Sequence, residues 1–378
     1  MLVAEVVRRA LLFVVAATLL TSLVYVDRDS TVHVDTLPAR QSNAEFWGMI
    51  KDFSEAGGYF RSDNFLSNES GYQQVIPLLR KTVRTGGVYL GVGPEQNFTY
   101  IASLEPKIAF IIDIRRQNML EHLLYKALME VSQDRAEFLS HLFSRRPLTT
   151  ADTNADAAAL VSMYEGAEPD GELFETNLRL VLDHLEHAKG FELSREDEDS
   201  IRHVYRAFYE SGTDLSYTFL GAYGRGFMGM PTYGELMQEN DGHTRNWNFL
   251  ATEDQYQSIR SLQERNLIVP LVGDFAGPKA VRSVAEYLKE HSAILTVFYT
   301  SNVEQYLFQD DENWKQFYAN VAALPVDSSS LFIRYVLNSW SFNRRSRTLV
   351  SPMIDVVQGY NHGRIRSYYD VVDMSRQN

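Results

Sequence analysis

The chain has 378 residues, of which 45% are hydrophobic and 22% charged, as in an ordinary globular protein of one or two domains. Its net charge is −13, so we expect no binding to nucleic acid, which needs clustered Lys and Arg. The absence of cysteine excludes disulfides, thiolate zinc sites, iron–sulfur clusters and cysteine nucleophiles.

The N-terminus carries a hydrophobic segment. Arg8 and Arg9 precede a charge-free run over residues 10–26, which as a helix would span about 25 Å, slightly less than a bilayer core. We interpret residues 1–29 as a signal peptide or membrane anchor and residues 30–41 as a linker. The missing Ala-x-Ala site favours a retained anchor. The positive-inside rule then puts the body on the periplasmic side of a bacterial inner membrane. The alternative is a buried helix in a cytoplasmic protein.

The first part of the body, residues 42–114, begins with a helix. Ser42 and Glu45 form a capping box at its start. Residues 59–70 follow as a loop that mixes aromatic and short polar side chains. Such a loop suits contact with a ligand, but Ser, Asn and Asp are also common in capped turns, and the composition does not decide between the two. A second helix is predicted over about 70–84.

The centre of the chain has the order of a mononucleotide-binding unit. A turn at Gly86-Gly87 leads into a short apolar strand and the loop Gly91-Val-Gly93, and a second apolar strand ends at Asp113. In such a unit, glycines let the backbone approach the ligand, and the acid binds ribose hydroxyls. The cofactor-binding candidates are residues of this loop and of the second strand end: Gly91, Gly93, Pro94, Glu95, Gln96, Asn97, Asp113 and Arg115.

Residues 115–265 are predicted to form a helical insertion, or cap, after the second strand. Periodic apolar residues indicate one helix with Met119 to Val131, another with Phe138 to Phe143 that ends at Arg145-Arg146-Pro147, and two more at about 173–188 and 195–210. Three histidines, His184, His187 and His203, lie in this part, but no metal motif accompanies them, so no metal site is predicted. Residues 216–250 are rich in glycine and aromatic residues. They fit either a substrate loop or an irregular packed segment.

The strand–helix alternation returns in residues 266–378. Apolar strands are predicted at 267–274, with Pro270 inside, and at 293–299, followed by Thr300-Ser301-Asn302. A helix at 314–324 and strands at 331–336 and 349–357 complete the pattern. Alternating strands and helices predict an α/β fold with an open, mostly parallel sheet, whose ligands bind beyond the carboxyl ends of the strands.

The whole pattern resembles the Rossmann-like fold of S-adenosylmethionine-dependent methyltransferases. Gly91-Val-Gly93 stands where that family has its glycine motif, Asp113 where it has the ribose-binding acid, and Thr300-Ser301-Asn302 where a polar strand end lies near the methyl group. Tyr89 stands where an acid is usual, and Glu95 where a third glycine is usual. Several runs, among them Leu90-Gly-Val-Gly-Pro-Glu-Gln-Asn-Phe and Val272-Gly-Asp-Phe-Ala-Gly-Pro-Lys, are also similar to a family of uncharacterised bacterial proteins grouped with methyltransferase-like folds.

Three functions fit these observations. The resemblance implies a methyltransferase for a small-molecule acceptor, with S-adenosylmethionine as cofactor and Asn302, Glu304 and Asp274 orienting the acceptor. A non-catalytic, membrane-anchored or exported binding protein could keep the same fold. Hydrolysis at Asp113, Asp274 and Glu304 has the least support, because no nucleophile elbow, P-loop or zinc motif is present. A pocket that brings Glu95, Asp113 and Asn302 together would favour the methyltransferase, and a pocket blocked by aromatic residues would favour the binding protein.

Overall fold

The computed structural model describes residues 35–149, 154–217, 230–336 and 346–375. By its internal contacts the chain divides into Met1–Thr36 and Leu37–Asn378. Because the described residues begin at 35, the N-terminal hydrophobic segment lies outside them. Within the described ranges, no helix is both long enough and apolar enough to cross a bilayer.

A six-stranded sheet forms the centre of the second unit. Its strands lie in the order β3-β2-β1-β4-β5-β6, and all neighbouring pairs are parallel except β5 and β6. The order of the strands reverses beside β1, which has β2 on one side and β4 on the other. The strands are β1 (Val88–Gly91), β2 (Ile108–Asp113), β3 (Ile268–Val272), β4 (Leu295–Ser301), β5 (Leu331–Val336) and β6 (Arg347–Pro352).

The apolar runs form strands because helices cover both faces of this sheet. Every residue of β1, β2 and β3 is buried, as expected for parallel strands with both faces covered. The predicted mostly parallel α/β sheet is thereby confirmed. Pro270 lies within β3, which is an edge strand, so its missing N–H costs no hydrogen bond on the outer side. The last strand is shorter than predicted, because the chain turns at Pro352 into a helix.

Before β3, the described helices are α1 to α10, and most of them lie between β2 and β3. Their bounds are α1 (Asn43–Phe53), α2 (Ile76–Thr82), α3 (Gln96–Leu104), α4 (Arg116–Val131), α5 (Arg135–Phe143), α6 (Ala157–Ser162), α7 (Gly171–Asp183), α8 (Arg195–Ser211), α9 (Tyr233–Gln238) and α10 (Glu253–Glu264). A 3₁₀ turn over Tyr72–Val75 precedes α2, another over Gly212–Asp214 follows α8, and a π-helical turn over His184–Ala188 extends α7.

After β3, the described helices are α11 (Ala280–Glu290), α12 (Val303–Leu307), α13 (Asp311–Ala323), α14 (Met353–Asn361) and α15 (Tyr368–Asp373). The predicted capping box at the start of α1 is confirmed: Ser42 Oγ accepts the Glu45 N–H, and Glu45 accepts the Ser42 N–H. A second box, between Ser194 and Asp197, begins α8. These boxes satisfy amide groups that the first helical turn leaves without partners.

Candidate functional site

A cavity of about 300 Å³ lies at the carboxyl ends of the parallel strands, where the strand order reverses. Ligands of open α/β sheets bind at such a position, and the volume is at the lower end of that of small-molecule sites. The walls come from the residues that follow β1, β2, β3 and β4 and from the loop before α2. Among the residues that line it are Gly93, Gln96, Asp113, Asp274, Ser301 and Asn302.

The two glycines of the β1 loop have different roles. A Cβ atom on Gly91 would lie 2.1 Å from Asn97 Oδ1 and 2.7 Å from a ring carbon of Tyr89, so Gly91 makes room for neighbouring side chains of the protein itself. Gly93 has a φ of 79° and faces open space, and it lines the cavity. Of the two predicted glycines, only Gly93 therefore leaves the backbone open towards the cavity.

Asn97 and His122 hold the β1 loop from its buried side. The Asn97 Nδ2 group donates to the carbonyl oxygens of Val92, Gly93 and Pro94 at 2.9, 3.1 and 2.7 Å, and its Oδ1 accepts the Tyr89 hydroxyl at 2.8 Å. His122 also fixes the β1 loop, because its Nε2 lies 2.8 Å from the Gly93 carbonyl oxygen. Burial lowers the pKa of this histidine to about 4, so its neutral ring donates here through Nε2–H.

We predict that Asn97→Ala lowers the free energy of unfolding by about 2–3 kcal/mol, because three loop carbonyls and a buried hydroxyl lose their partner at once. Urea unfolding monitored by circular dichroism would measure the change. Asn302→Ala is the matched control, since the Asn302 amide lies on the cavity wall and has no hydrogen-bond partner among the described residues. Equal stability of the two variants would show that Asn97 does not fix the loop.

The acid at the end of β2 is already paired. Arg115 donates to Asp113 Oδ1 from its backbone N–H and from Nε, both at 2.9 Å, and to Oδ2 from Nη2 at 2.8 Å. Arg115 also bonds the backbone carbonyl of Asp63, which ties this pair to the loop before α2. Both Asp113 and Arg115 line the cavity. The pairing leaves Asp113 one acceptor position, on Oδ2, for a ligand hydroxyl.

Glu69 is the functional candidate that the sequence did not single out. Its carboxylate, 1% exposed, lies in the cavity wall and accepts hydrogen bonds from Tyr299 Oη at 2.7 Å, Gln96 Nε2 at 3.1 Å and Ser301 Oγ. Burial raises the pKa of Glu69 to about 7, although these three hydrogen bonds lower it. Among the described residues no cationic side chain pairs with it. The result is a carboxyl group that changes charge near neutral pH inside a cavity.

Ser301 is held in an unusual backbone conformation beside Glu69. Its φ is 51°, in the left-handed region, where a residue with a side chain costs on the order of 1 kcal/mol. The parallel register of β4 and β5 is also irregular between Tyr299 and Ser301. In this conformation the Ser301 hydroxyl donates a hydrogen bond to the Glu69 carboxylate.

Glu304 lies outside the cavity lining, in a buried ion pair. Its carboxylate is 1% exposed and accepts from the guanidinium of Arg334, which is 0% exposed, from the Tyr318 hydroxyl and from Thr300 Oγ1. Arg334 also bonds Ser351 Oγ, so the pair connects β4, β5, β6 and α13. These donors occupy both carboxylate oxygens of Glu304, so none is left for a ligand. Glu304 therefore has the geometry of a structural residue.

Glu95 belongs to a second group of buried acids. It accepts the Ser67 N–H on Oε1 at 3.3 Å, while its Oε2 and both carboxylate oxygens of Glu121 are buried without a hydrogen-bond partner. Burial raises the pKa of Glu95 to about 8. Burial also raises the pKa of Glu121, and the negative charge of Glu95, where it is ionised, raises that pKa further. At neutral pH Glu95 is therefore mostly protonated.

The structure brings together most, but not all, of the predicted site residues. Those that line the cavity are Gly93, Pro94, Gln96, Asp113, Arg115, Asp274 and Asn302. The others are buried beside it or away from it: Gly91, Glu95, Asn97 and Glu304. The loop before α2, which the sequence left undecided between ligand contact and a capped turn, supplies Phe60, Asn64, Ser67, Asn68 and Glu69 to the wall.

Part of the glycine-rich segment at 216–250 also reaches the cavity. Tyr217 and Met230, the described residues on either side of 218–229, line it, whereas residues 218–229 themselves lie outside the described residues. The histidines of the helical insertion have other neighbours. His184 Nε2 lies 2.6 Å from Glu130 Oε2, and His203 Nε2 lies 3.7 Å from Asp63 Oδ2.

These features define an α/β protein whose mostly parallel sheet is flanked by helices and carries a ligand-sized cavity at the reversal of its strand order. The chain belongs to the family described as Domain of unknown function (DUF7790), whose model matches residues 64–362 and so includes every strand of the sheet. No curated protein matches the chain.

Proposed function

We propose that the chain is a methyltransferase-like protein of Rossmann-like type that binds S-adenosylmethionine in the cavity described above. The strand order supports this proposal, since β3-β2-β1-β4-β5-β6 is the order of doubly wound sheets that bind nucleotide-type ligands at the reversal point. The sixth strand differs, because it is antiparallel. S-adenosylmethionine is found in the cytoplasm. This proposal therefore requires the interpretation in which the N-terminal segment is a buried helix of a cytoplasmic protein.

The charge of the cavity favours this cofactor over a phosphate-bearing one. Among the described residues that line the cavity, Arg115 is the only Lys or Arg, and its guanidinium is paired with Asp113. The carboxylates of Glu69 and Asp274 line the same space. A pyrophosphate would find no uncommitted cation there, whereas a sulfonium ion attached to a nucleoside suits an acidic wall.

The observation that carries the proposal is the conformation of Gly93 in this acidic cavity. Its left-handed backbone turns the chain after β1 and leaves open space where a side chain would stand. In a nucleoside complex, the Asp113 Oδ2 atom could accept one ribose hydroxyl, and Asn302 and Asp274 could orient an acceptor. Methyl transfer depends mainly on such positioning.

Titration calorimetry of the full chain tests the proposal. We expect S-adenosylmethionine and S-adenosylhomocysteine to bind with micromolar affinity, and ATP and NAD not to bind. Gly93→Ala should weaken binding at least tenfold. Gly190→Ala is the matched control, because Gly190 has a φ of 73° and also faces open space but lies outside the cavity lining. Absence of binding of both adenosyl compounds at millimolar concentration would overturn the proposal.

The alternative is a binding protein that keeps this fold without the reaction. Two acids considered for chemistry, Asp113 and Glu304, are engaged by arginines, and Glu95 lies outside the cavity lining, which favours this alternative. The 300 Å³ of open space argues against a cavity filled by aromatic residues. Binding of S-adenosylmethionine and its product with no methyl transfer to any acceptor in a panel of amines and alcohols would support the binding protein.

A further inference from the structure

We propose that Glu69 forms the subsite of the cavity that binds a positively charged amine. This inference rests on the proposed function only for the identity of the amine, which is either the methyl acceptor or the amino group of the cofactor itself. The ammonium site as such rests only on the geometry of Glu69 and the rings around it.

The hydrogen-bond inventory of Glu69 leaves one acceptor position open. Its Oε1 atom accepts from the hydroxyls of Tyr299 and Ser301, which fills both lone pairs. Its Oε2 atom accepts from Gln96 Nε2 alone, at 3.1 Å. All three donors are neutral, so they orient the carboxylate without compensating its charge. A buried carboxylate with a free lone pair in a cavity wall is suited to a ligand that brings both a donor and a positive charge.

Aromatic rings complete the environment that an ammonium group prefers. Phe60 and Tyr306 line the cavity and contact each other edge to face, with ring centroids 5.5 Å apart, and Tyr299 and Phe275 line it as well. The faces of such rings attract cations. In the described lining, Arg115 is the only Lys or Arg, and Asp113 already neutralises it, so an incoming ammonium meets no unpaired positive side chain there.

Besides Asp113, Arg115 and Asp274 in the cavity lining, the titratable groups around Glu69 are tyrosines, which stay neutral near pH 7, and one glutamate that is the exception. Tyrosines approach it from β1, α3, β4 and β5 and from the start of α15, and burial raises the pKa of each of them above its ordinary value: Tyr89, Tyr100, Tyr299, Tyr335 and Tyr368. The exception is Glu239, which accepts the Gly71 N–H at 3.0 Å. Burial raises the pKa of Glu239, like that of Glu69, to about 7.

Glu239 therefore supplies a matched control. It titrates in the same range as Glu69 and lies beside the same loop, but it is outside the cavity lining. Glu69→Gln removes the charge in the wall, whereas Glu239→Gln removes a comparable charge behind it. If Glu69→Gln weakens amine binding and Glu239→Gln does not, the amine binds in the cavity and is not merely attracted by the combined charge of the buried acids.

The experiment compares n-butylamine with 1-butanol, two probes of similar size that differ in charge, by ligand-observed NMR titration of the full chain. We expect the amine to bind at least tenfold more tightly at pH 8. Its affinity should fall about tenfold between pH 8 and pH 6, because an alkylamine stays protonated over this range while Glu69 takes up its proton. Glu69→Gln should lose both effects, and Glu239→Gln should keep them.

Repeating the titration with saturating S-adenosylhomocysteine identifies the source of the amine. Butylamine binding that persists assigns Glu69 to the acceptor, and binding that is lost assigns it to the amino group of the cofactor. Equal affinities of wild-type protein for amine and alcohol, or an amine preference that survives Glu69→Gln, would overturn the inference. Failure of S-adenosylhomocysteine to bind would refute the proposed cofactor but not the amine site. The amine titration without S-adenosylhomocysteine tests that site separately.

Discussion

Replacing Glu304 with alanine should lower the free energy of unfolding by about 3–5 kcal/mol, because it leaves the guanidinium of Arg334 buried without its counter-ion. Arg334 is wholly buried in β5, and its remaining hydrogen-bond partner among the described residues is the hydroxyl of Ser351. The Tyr318 hydroxyl loses its acceptor in the same variant, whereas Thr300 Oγ1 keeps the Ile333 carbonyl oxygen. Chemical denaturation monitored by circular dichroism would measure the loss.

A double variant separates the ion pair from the packing around it. Glu304→Leu combined with Arg334→Met removes both charges and keeps much of the buried volume, so it should recover part of the stability lost in Glu304→Ala. Full recovery is not expected, since the Tyr318 hydroxyl stays buried without its carboxylate acceptor and the Ser351 hydroxyl without its guanidinium donor. A Glu304→Ala protein as stable as the wild type would show that the pair does not hold β4, β5 and α13 together.

The strands were readable from the sequence for a simple physical reason. Parallel strands covered on both faces are almost entirely apolar, so β1, β2, β4 and β5 stand out as short hydrophobic runs between helical patterns. The last strand was predicted too long. The apolar residues on either side of Pro352 belong to β6 and to α14 in turn, and short apolar runs do not distinguish a strand from a buried helix.

The sequence predicts only part of the site, because the roles of its acids depend on contacts between distant parts of the chain. Glu304 and Arg334 are 30 residues apart, so their pairing left no local pattern. Glu69 lies in a loop of short polar residues, where burial cannot be inferred from composition, and its donors come from α3 and β4. By contrast, the Asp113–Arg115 pair spans two residues, and its spacing was a signal that the sequence did contain.

The stability of the protein should depend on pH in a way that identifies the buried acid Glu95. Its pKa is raised to about 8 by burial in the folded state, whereas an exposed glutamate in the unfolded chain titrates near pH 4.5. The folded state therefore binds more protons than the unfolded state between these values. By linkage, this group costs stability progressively as the pH rises from about 4.5 to about 8.

Glu95→Gln should remove this dependence, because the amide resembles the protonated acid and does not ionise. The stability of Glu95→Gln relative to the wild type should improve by about 3–4 kcal/mol between pH 5 and pH 8, since the full slope of about 1.4 kcal/mol per pH unit applies only well between the two pKa values. The contribution of His122, whose pKa is lowered to about 4, has the opposite sign, but it is common to both proteins and cancels in the difference.

Urea unfolding at each half pH unit would measure that difference. The buried amide costs a roughly constant amount at every pH, since its extra N–H group takes the place of the unpartnered Oε2. The pH slope, and not the absolute stability, is therefore the informative quantity. Glu196→Gln, which changes an exposed carboxylate at the start of α8, should leave the slope as it is in the wild type. Parallel pH profiles of Glu95→Gln and wild type would mean that Glu95 is ionised in the folded protein, and that the unpartnered oxygens around it are reached by water.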